Sequence, residues 1–132
     1  MMVIDPHAHI LSEEFIRKVR AGTFGPAVSI EQGANGEQIV SQTTVLGRQR
    51  RNVSFVSERY YRIDLRLQDM DTLKVDKQIL SILPPFMLYG IEAGVNKEIA
   101  AVLNESIAEI AQAAPDRFSC MATVPLLSLI HI

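Results

Sequence analysis

The sequence has one cysteine, Cys120, so no disulfide can form within the chain. A reducing compartment fits that count. It has no excess of one charge: the formal net charge is -2, which gives no broad electrostatic case for nucleic acid or an anionic membrane. It has no apolar run approaching the ~20 residues that a membrane span needs. Its first ten residues lack the basic region and long apolar stretch of a secretory signal. Internal repeats and low-complexity segments are also missing. These absences set the expectation of a soluble cytoplasmic protein with neither a membrane nor a nucleic-acid partner.

What remains is ordinary globular composition. Hydrophobic residues make up 48% and charged residues 21% of 132 positions, enough for one domain with a real core. Val3 and Ile4 begin a short apolar run ending at Asp5, which predicts a buried strand. Ser12 is placed to cap a helix through Phe15, Ile16 and Val19, with Gly22 just past its end. Residues 27–31 and 37–41 alternate loosely around Gly33-Ala34-Asn35-Gly36, which predicts a hairpin with an irregular return. Arg48, Arg50 and Arg51 then cluster in a polar stretch, as a solvated loop or an anion site.

Regularity resumes with Leu67, Met70 and Leu73 at helical spacing, behind Asp64 as an N-cap. Residues 78–83 form an apolar run stopped by Pro84-Pro85, suited to a parallel strand covered on both faces. Asn96 is placed to cap a long helix with an apolar stripe of Ile99, Val102, Leu103, Ile107 and Ile110. Residues 119–124 predict another strand, in which Cys120 reads as an inert apolar residue. Asp69 and Asp71, two positions apart on a helix, do not share a face and read as solvated charges. Phe86, Met87 and Tyr89 read as packing residues after the second strand. The alternation of strand and helix, interrupted by one hairpin, is the signature of parallel βαβ units.

The segment that carries chemistry is Ile4-Asp5-Pro6-His7-Ala8-His9-Ile10. In an extended chain, side chains at i and i+2 project together. His7 and His9 then form half of a site for a divalent ion such as Zn²⁺. Spacing alone leaves this near parity with a polar surface pair; placement at the carboxyl end of a buried-looking strand favours the metal. Asp5 has the same parity one step deeper. It could orient an imidazole from behind, reach the metal itself, or cap the local backbone.

Ile-Asp-Pro-His-Ala-His resembles the start of the amidohydrolase superfamily, and within it the branch of aminocarboxymuconate-semialdehyde decarboxylase. Arg66-Leu67-Gln68-Asp69-Met70-Asp71, Pro115-Asp116-Arg117-Phe118 and Ala122-Thr123-Val124-Pro125-Leu126 agree with it in order. The resemblance implies an α/β fold: about three βα units, with a small insertion at about 23–62, from the N-terminal part of a (β/α)₈ barrel. It implies a metal centre at His7 and His9, holding Zn²⁺ or Mn²⁺. It also implies a small carboxylate substrate met by a basic residue of the insertion, with Arg51 the first match and Arg50 the next. A homodimer of the whole protein is common in this branch.

The activity implied is a metal-dependent carboxy-lyase on a small unsaturated or aromatic acid. A hydrolase of an amide, lactone or related bond is the alternative within the superfamily, and a noncatalytic metal-binding module the alternative outside it. Residues 1–126 would be a truncated piece, inactive alone, because the later ligands and the acid–base group lie beyond it. Residues 127–132 (LSLIHI) match the translated mosaic-end adapter of transposase-based sequencing libraries, and His131 is therefore not counted as a ligand. Sequencing the coding DNA checks this: adapter sequence is expected there, and unrelated sequence ends the idea.

Overall fold

The computed structural model describes residues 1–125. Residues 126–132, with the adapter reading and His131, lie outside the described residues.

β1 runs from Ile4 to Ile10, so the two histidines lie in the strand itself rather than beyond it. Ser12, two residues past the strand, starts α1, Glu13–Arg20, by accepting the Phe15 N–H at 2.9 Å. Glu13 and Glu14 fill the first turn and Arg17, Lys18 and Arg20 the last, complementing the helix dipole at both ends. The buried face is Phe15, Ile16 and Val19, as their spacing predicts. Phe15 is fully buried and meets Phe24 and Phe86 at ring separations of 5.7 and 5.6 Å. This aromatic trio joins α1 to the loop after the second parallel strand.

That strand, like the rest of the scaffold, comes after a separate antiparallel sheet. β2 (Val28–Gly33), β3 (Gly36–Val45) and β4 (Arg48–Phe55) pair in the order β2-β3-β4. The expected irregular return is therefore a full third strand, and Arg48, Arg50 and Arg51 lie on it, not in a loop. It shows no apolar alternation at its start because residues 48–51 are all exposed. The turn before it is the sequence signal: Leu46 and Gly47 both take positive φ, 50° and 74°, as a two-residue hairpin turn between right-twisted strands requires.

α2 (Ile63–Leu73), β5 (Lys77–Ile82), α3 (Ala93–Ala113) and β6 (Phe118–Cys120) complete the described chain. β1, β5 and β6 form a parallel three-stranded sheet in the order β1-β5-β6. Ala8, Ile10, Leu80, Ile82 and Phe118 are buried in one core with Phe15, Val19, Met70, Ile99, Leu103 and Ile107. Of the stripe expected on α3, Ile99, Leu103 and Ile107 are its buried centre.

Several expected local details differ. Asp64 is not the cap of α2; Arg62 holds that position and grips the Asp64 carboxylate at 2.8 and 2.6 Å. Leu73 is 71% exposed, so Met70 alone buries fully on that helix. α3 starts before Asn96, because the Glu92 carboxylate takes the Gly94 and Val95 N–H groups at 2.8 and 2.9 Å. Asn96 instead lies buried and donates to the Leu88 carbonyl at 3.0 Å, holding a residue whose φ is +51°. β6 ends at Cys120, which is exposed. Beyond it Thr123 leaves the sheet and exchanges two hydrogen bonds, 2.8 and 2.9 Å, with the Asn104 side chain.

The antiparallel sheet docks on the loop between β5 and α3 through one main-chain and one side-chain hydrogen bond. The Thr44 N–H donates to the Gly90 carbonyl at 2.8 Å, and the Ser41 hydroxyl donates to the Pro85 carbonyl at 3.1 Å. A side chain at Gly90 would put its Cβ 2.5 Å from the Thr44 carbonyl oxygen, which is backbone and cannot turn aside. Gly90→Ala is therefore expected to lower stability by about 1–3 kcal/mol, read from urea unfolding. A control with the same change at Gly22, where φ is +71° but no atom lies within 4 Å, separates steric from conformational cost.

Candidate metal centre at the end of the first strand

The register of β1 on β5 decides what faces what. Asp5 lies opposite Gln78 and Ala8 opposite Leu80, so three steps on β1 match two on β5. This is a bulge, and it contains Pro6 and His7. Pro6 suits it, since proline has no N–H to give a ladder and within sheets is confined to edges and bulges. The extra residue breaks the parity expected from simple alternation. Asp5 is in register with the row of Gln78 and Leu80, whereas His9 pairs with Ser81 in the alternate row.

Past the bulge the two imidazoles converge. His7 Nε2 and His9 Nε2 lie 3.0 Å apart, with the rings edge to face at 86° and centroids 4.8 Å apart. His7 is exposed and His9 half-buried. His9 Nδ1 lies 3.0 Å from the Ser81 hydroxyl. With a proton on Nδ1 donated to Ser81, the Nε2 lone pair of His9 points toward His7, and the one proton between the two rings belongs to His7. Two imidazole ligands at ~2.0–2.1 Å from a tetrahedral Zn²⁺ stand ~3.3 Å apart, close to the spacing here. An ion held by both Nε2 atoms would take the place of the shared proton. The donor set thus fits a divalent metal, as two of its ligands. Among the described residues, no group of three His, Cys, Asp or Glu side chains completes it.

Burial lowers the His9 pKa from its usual value, and charge on His7 and on Arg66 lowers it further, while the Ser81 and Ile82 backbone pulls the other way. The net direction favours neutral imidazole, the form that binds metal. Asp5 does not touch either ring: its carboxylate accepts the His7 backbone N–H at 3.1 Å and the Gln78 side-chain amide at 3.0 Å. Arg66 supports the other histidine, donating to the His9 carbonyl at 2.7 Å.

Ser81, Gln78 and Arg66 carry no metal-ligand signature in the sequence. Ser81 had the clearest signal, as the one polar residue inside the run Ile79-Leu80-Ser81-Ile82-Leu83. The two arginines divide by strand face. Arg51 pairs with Glu31 across the antiparallel sheet at 2.6 Å. Arg50, on the alternate face of β4, forms no ion pair among the described residues and lines a groove of about 450 Å³ with Thr43, Asn52, Pro84, Met87 and Tyr89. Phe86 is core, and Met87 and Tyr89 are groove wall. Asp69 and Asp71 are ion-paired with Arg59 and Arg117, not with each other.

No family model matches the chain. Solved structures share its fold. The apo crystal structure of Metarhizium anisopliae IDCase matches 95% of this chain and 35% of its own, with a TM-score of 0.70 and 14% identity. A 5-carboxyvanillate decarboxylase from Novosphingobium aromaticivorans, complexed with manganese and 4-hydroxy-3-methoxy-5-nitrobenzoic acid, matches 93% of this chain and 34% of its own, with a TM-score of 0.53 and 22% identity. A 4-oxalomesaconate hydratase from Rhodopseudomonas palustris gives a TM-score of 0.52 at 21% identity, over 94% of this chain and 33% of its own. The chain spans about a third of the length of these structures. Among the described residues, no helix is long and apolar enough to cross a membrane.

The lowered His9 pKa has a direct check by NMR titration of the imidazole signals. His9 is expected to titrate below 6.5, and to move upward in His7→Ala, which removes one lowering influence. Between the folded value and 6.5 the unfolded chain binds more protons, so stability is expected to fall as pH drops through that window.

Proposed function

We propose that the chain is the N-terminal part of a metal-dependent carboxy-lyase of the amidohydrolase superfamily, in the aminocarboxymuconate-semialdehyde decarboxylase-like branch. Its parallel strands would be the first three of a (β/α)₈ barrel, with residues 23–62 as an insertion. The substrate would be a small unsaturated or aromatic carboxylic acid. The observation that carries this reading is the convergence of His7 and His9 at 3.0 Å on the carboxyl half of a parallel strand. Sites in parallel α/β folds form at that end. The shared fold with decarboxylases, one holding manganese and an aromatic carboxylic acid, supports the class.

In this reading His7 and His9 hold the ion, and Ser81 fixes the His9 ring with its Nε2 lone pair outward. The ion, Zn²⁺ or Mn²⁺, would supply Lewis acidity toward the substrate's oxygens. Arg50 would meet a carboxylate in the groove beside the loop after β5. The Arg51–Glu31 pair favours Arg50 over Arg51 for that role, reversing the order suggested by resemblance. The remaining ligands and the acid–base group would come from the rest of the barrel. A hydrolytic or hydrating activity is the second reading, favoured by the fold shared with a hydratase.

Metal analysis of the purified protein tests the site. His7→Ala and His9→Ala are each expected to lose most bound zinc or manganese; unchanged metal in both variants rejects the assignment. In the complete enzyme, CO₂ release from a candidate acid separates lyase from hydrolase. Arg50→Ala should raise KM there about tenfold or more, the loss of one charge-assisted hydrogen-bonded pair. An unchanged KM removes Arg50 from the substrate site.

A further inference from the structure

The bulge in β1 is held by side chains. The His7 N–H, inside the bulge, donates to Asp5 Oδ1 at 3.1 Å. Asp5 Oδ2 accepts from Gln78 Nε2 at 3.0 Å, and Gln78 Oε1 accepts from Arg66 Nη1 at 3.1 Å. Arg66 Nη2 then donates to the His9 carbonyl at 2.7 Å and to the Arg59 carbonyl at 3.3 Å. The hydrogen bonds form a closed ring: from the His7 N–H through Asp5, Gln78 and Arg66 to the His9 carbonyl, with the backbone of residues 7–9 completing it.

We infer that Asp5, Gln78 and Arg66 are positioning residues that fix the backbone of the His7–His9 segment, and thereby the convergence of its two imidazoles. The purpose assigned to the ring rests on the metal reading above; the ring itself does not. Its members come from three elements: the start of β1, β5 and α2. Both Asp5 oxygens and both Gln78 amide atoms are used, so Gln78 cannot rotate to another partner without breaking two bonds. The bulge re-aims the strand, and the ring determines where it is re-aimed. Asp5 therefore acts through the main chain, neither as a ligand nor on an imidazole.

The experiment compares the 132-residue chain with Asp5→Ala, Asp5→Asn, Gln78→Ala and the Asp5→Ala/Gln78→Ala double variant. Three quantities are measured: Co²⁺ affinity by calorimetry, exchange of the His7 amide by NMR in the metal-free chain, and the urea midpoint. Asp5→Ala is expected to weaken Co²⁺ binding about 10- to 100-fold, as loss of support behind a ligand does. It should also speed His7 amide exchange by roughly tenfold, the worth of one hydrogen bond. Asp5→Asn keeps one oxygen for the His7 N–H but turns an NH2 toward Gln78 Nε2, donor against donor, so it should slow His7 exchange again while the ring stays open and Co²⁺ binding stays weakened. The double variant should bind Co²⁺ no more weakly than Asp5→Ala, since one ring is broken either way.

Asp76→Ala serves as the control for general loosening. It removes the acceptor of the Val3 N–H, at 2.7 Å, at the start of the same strand. It should lower the urea midpoint and leave Co²⁺ affinity and His7 exchange unchanged. Wild-type affinity and exchange in Asp5→Ala overturn the inference. So does an Asp76→Ala effect on Co²⁺ as large as that of Asp5→Ala. If the chain, with two of the ligands, binds Co²⁺ too weakly to measure, His7 exchange in Asp5→Ala decides the ring by itself: wild-type exchange there overturns it.

Discussion

The pairing of β1 with β5 is the constraint on which the rest of this structure depends. Its register places Ala8 and Ile10 against Leu80 and Ile82, and those four side chains are core. The same pairing sets His9 beside Ser81. A side chain alternates every residue along a strand, so a slip of one position would exchange the two sets. Apolar burial and imidazole placement are thus enforced by one alignment. The bulge at Pro6-His7 is the only departure from regular pairing in that strand pair, and it falls beside the site. It lets Asp5 face its partners on β5 and α2 while the histidines keep the other side. Without it, the carboxylate and both rings would share one row.

The antiparallel sheet obeys a different logic. Its contribution to the core is limited to a few residues, chiefly Val28 and Ile39, with Val40 also buried. Its long strands are otherwise polar and carry ion pairs such as Arg51–Glu31 and, toward α1, Arg20–Glu37. Exposed pairs of this kind contribute at most about 1 kcal/mol each. What holds the sheet in place is its seat on the loop between β5 and α3. That seat puts one face of β4 along a groove at the carboxyl end of the parallel strands.

Much of the scaffold was legible because burial writes a period into the sequence. Phe15, Ile16 and Val19 announce α1, and Ile99, Leu103 and Ile107 announce α3. The Gly-Ala-Asn-Gly stretch announces the first hairpin, and Ile79 to Leu83 the second parallel strand. β4 was not legible, since its arginines face solvent on both sides and leave no alternation to read. Helix starts were misplaced where the Glu92 carboxylate took the work expected of Asn96, and where α2 began after Arg62 with no side-chain cap at all. The convergence of His7 and His9 was legible from spacing, but the position of Asp5 was not. Simple parity put it with the rings, and only the register, through one extra residue, puts it elsewhere. Ser81 and Gln78 act on the histidine segment from 72 and 73 positions away in the chain, a proximity that no local pattern encodes.

The contact between Thr44 and Gly90 carries a consequence for how such a groove can diversify. A link made by an amide hydrogen and a carbonyl is indifferent to side-chain identity. Exposed residues of β4 can therefore be exchanged for others of different charge or bulk while that link holds, provided position 90 has no side chain. One small residue thus leaves room for variety along a whole strand. The β4 side of the groove and the imidazole pair are built on separate sheets, so side chains on one can change without displacing the other.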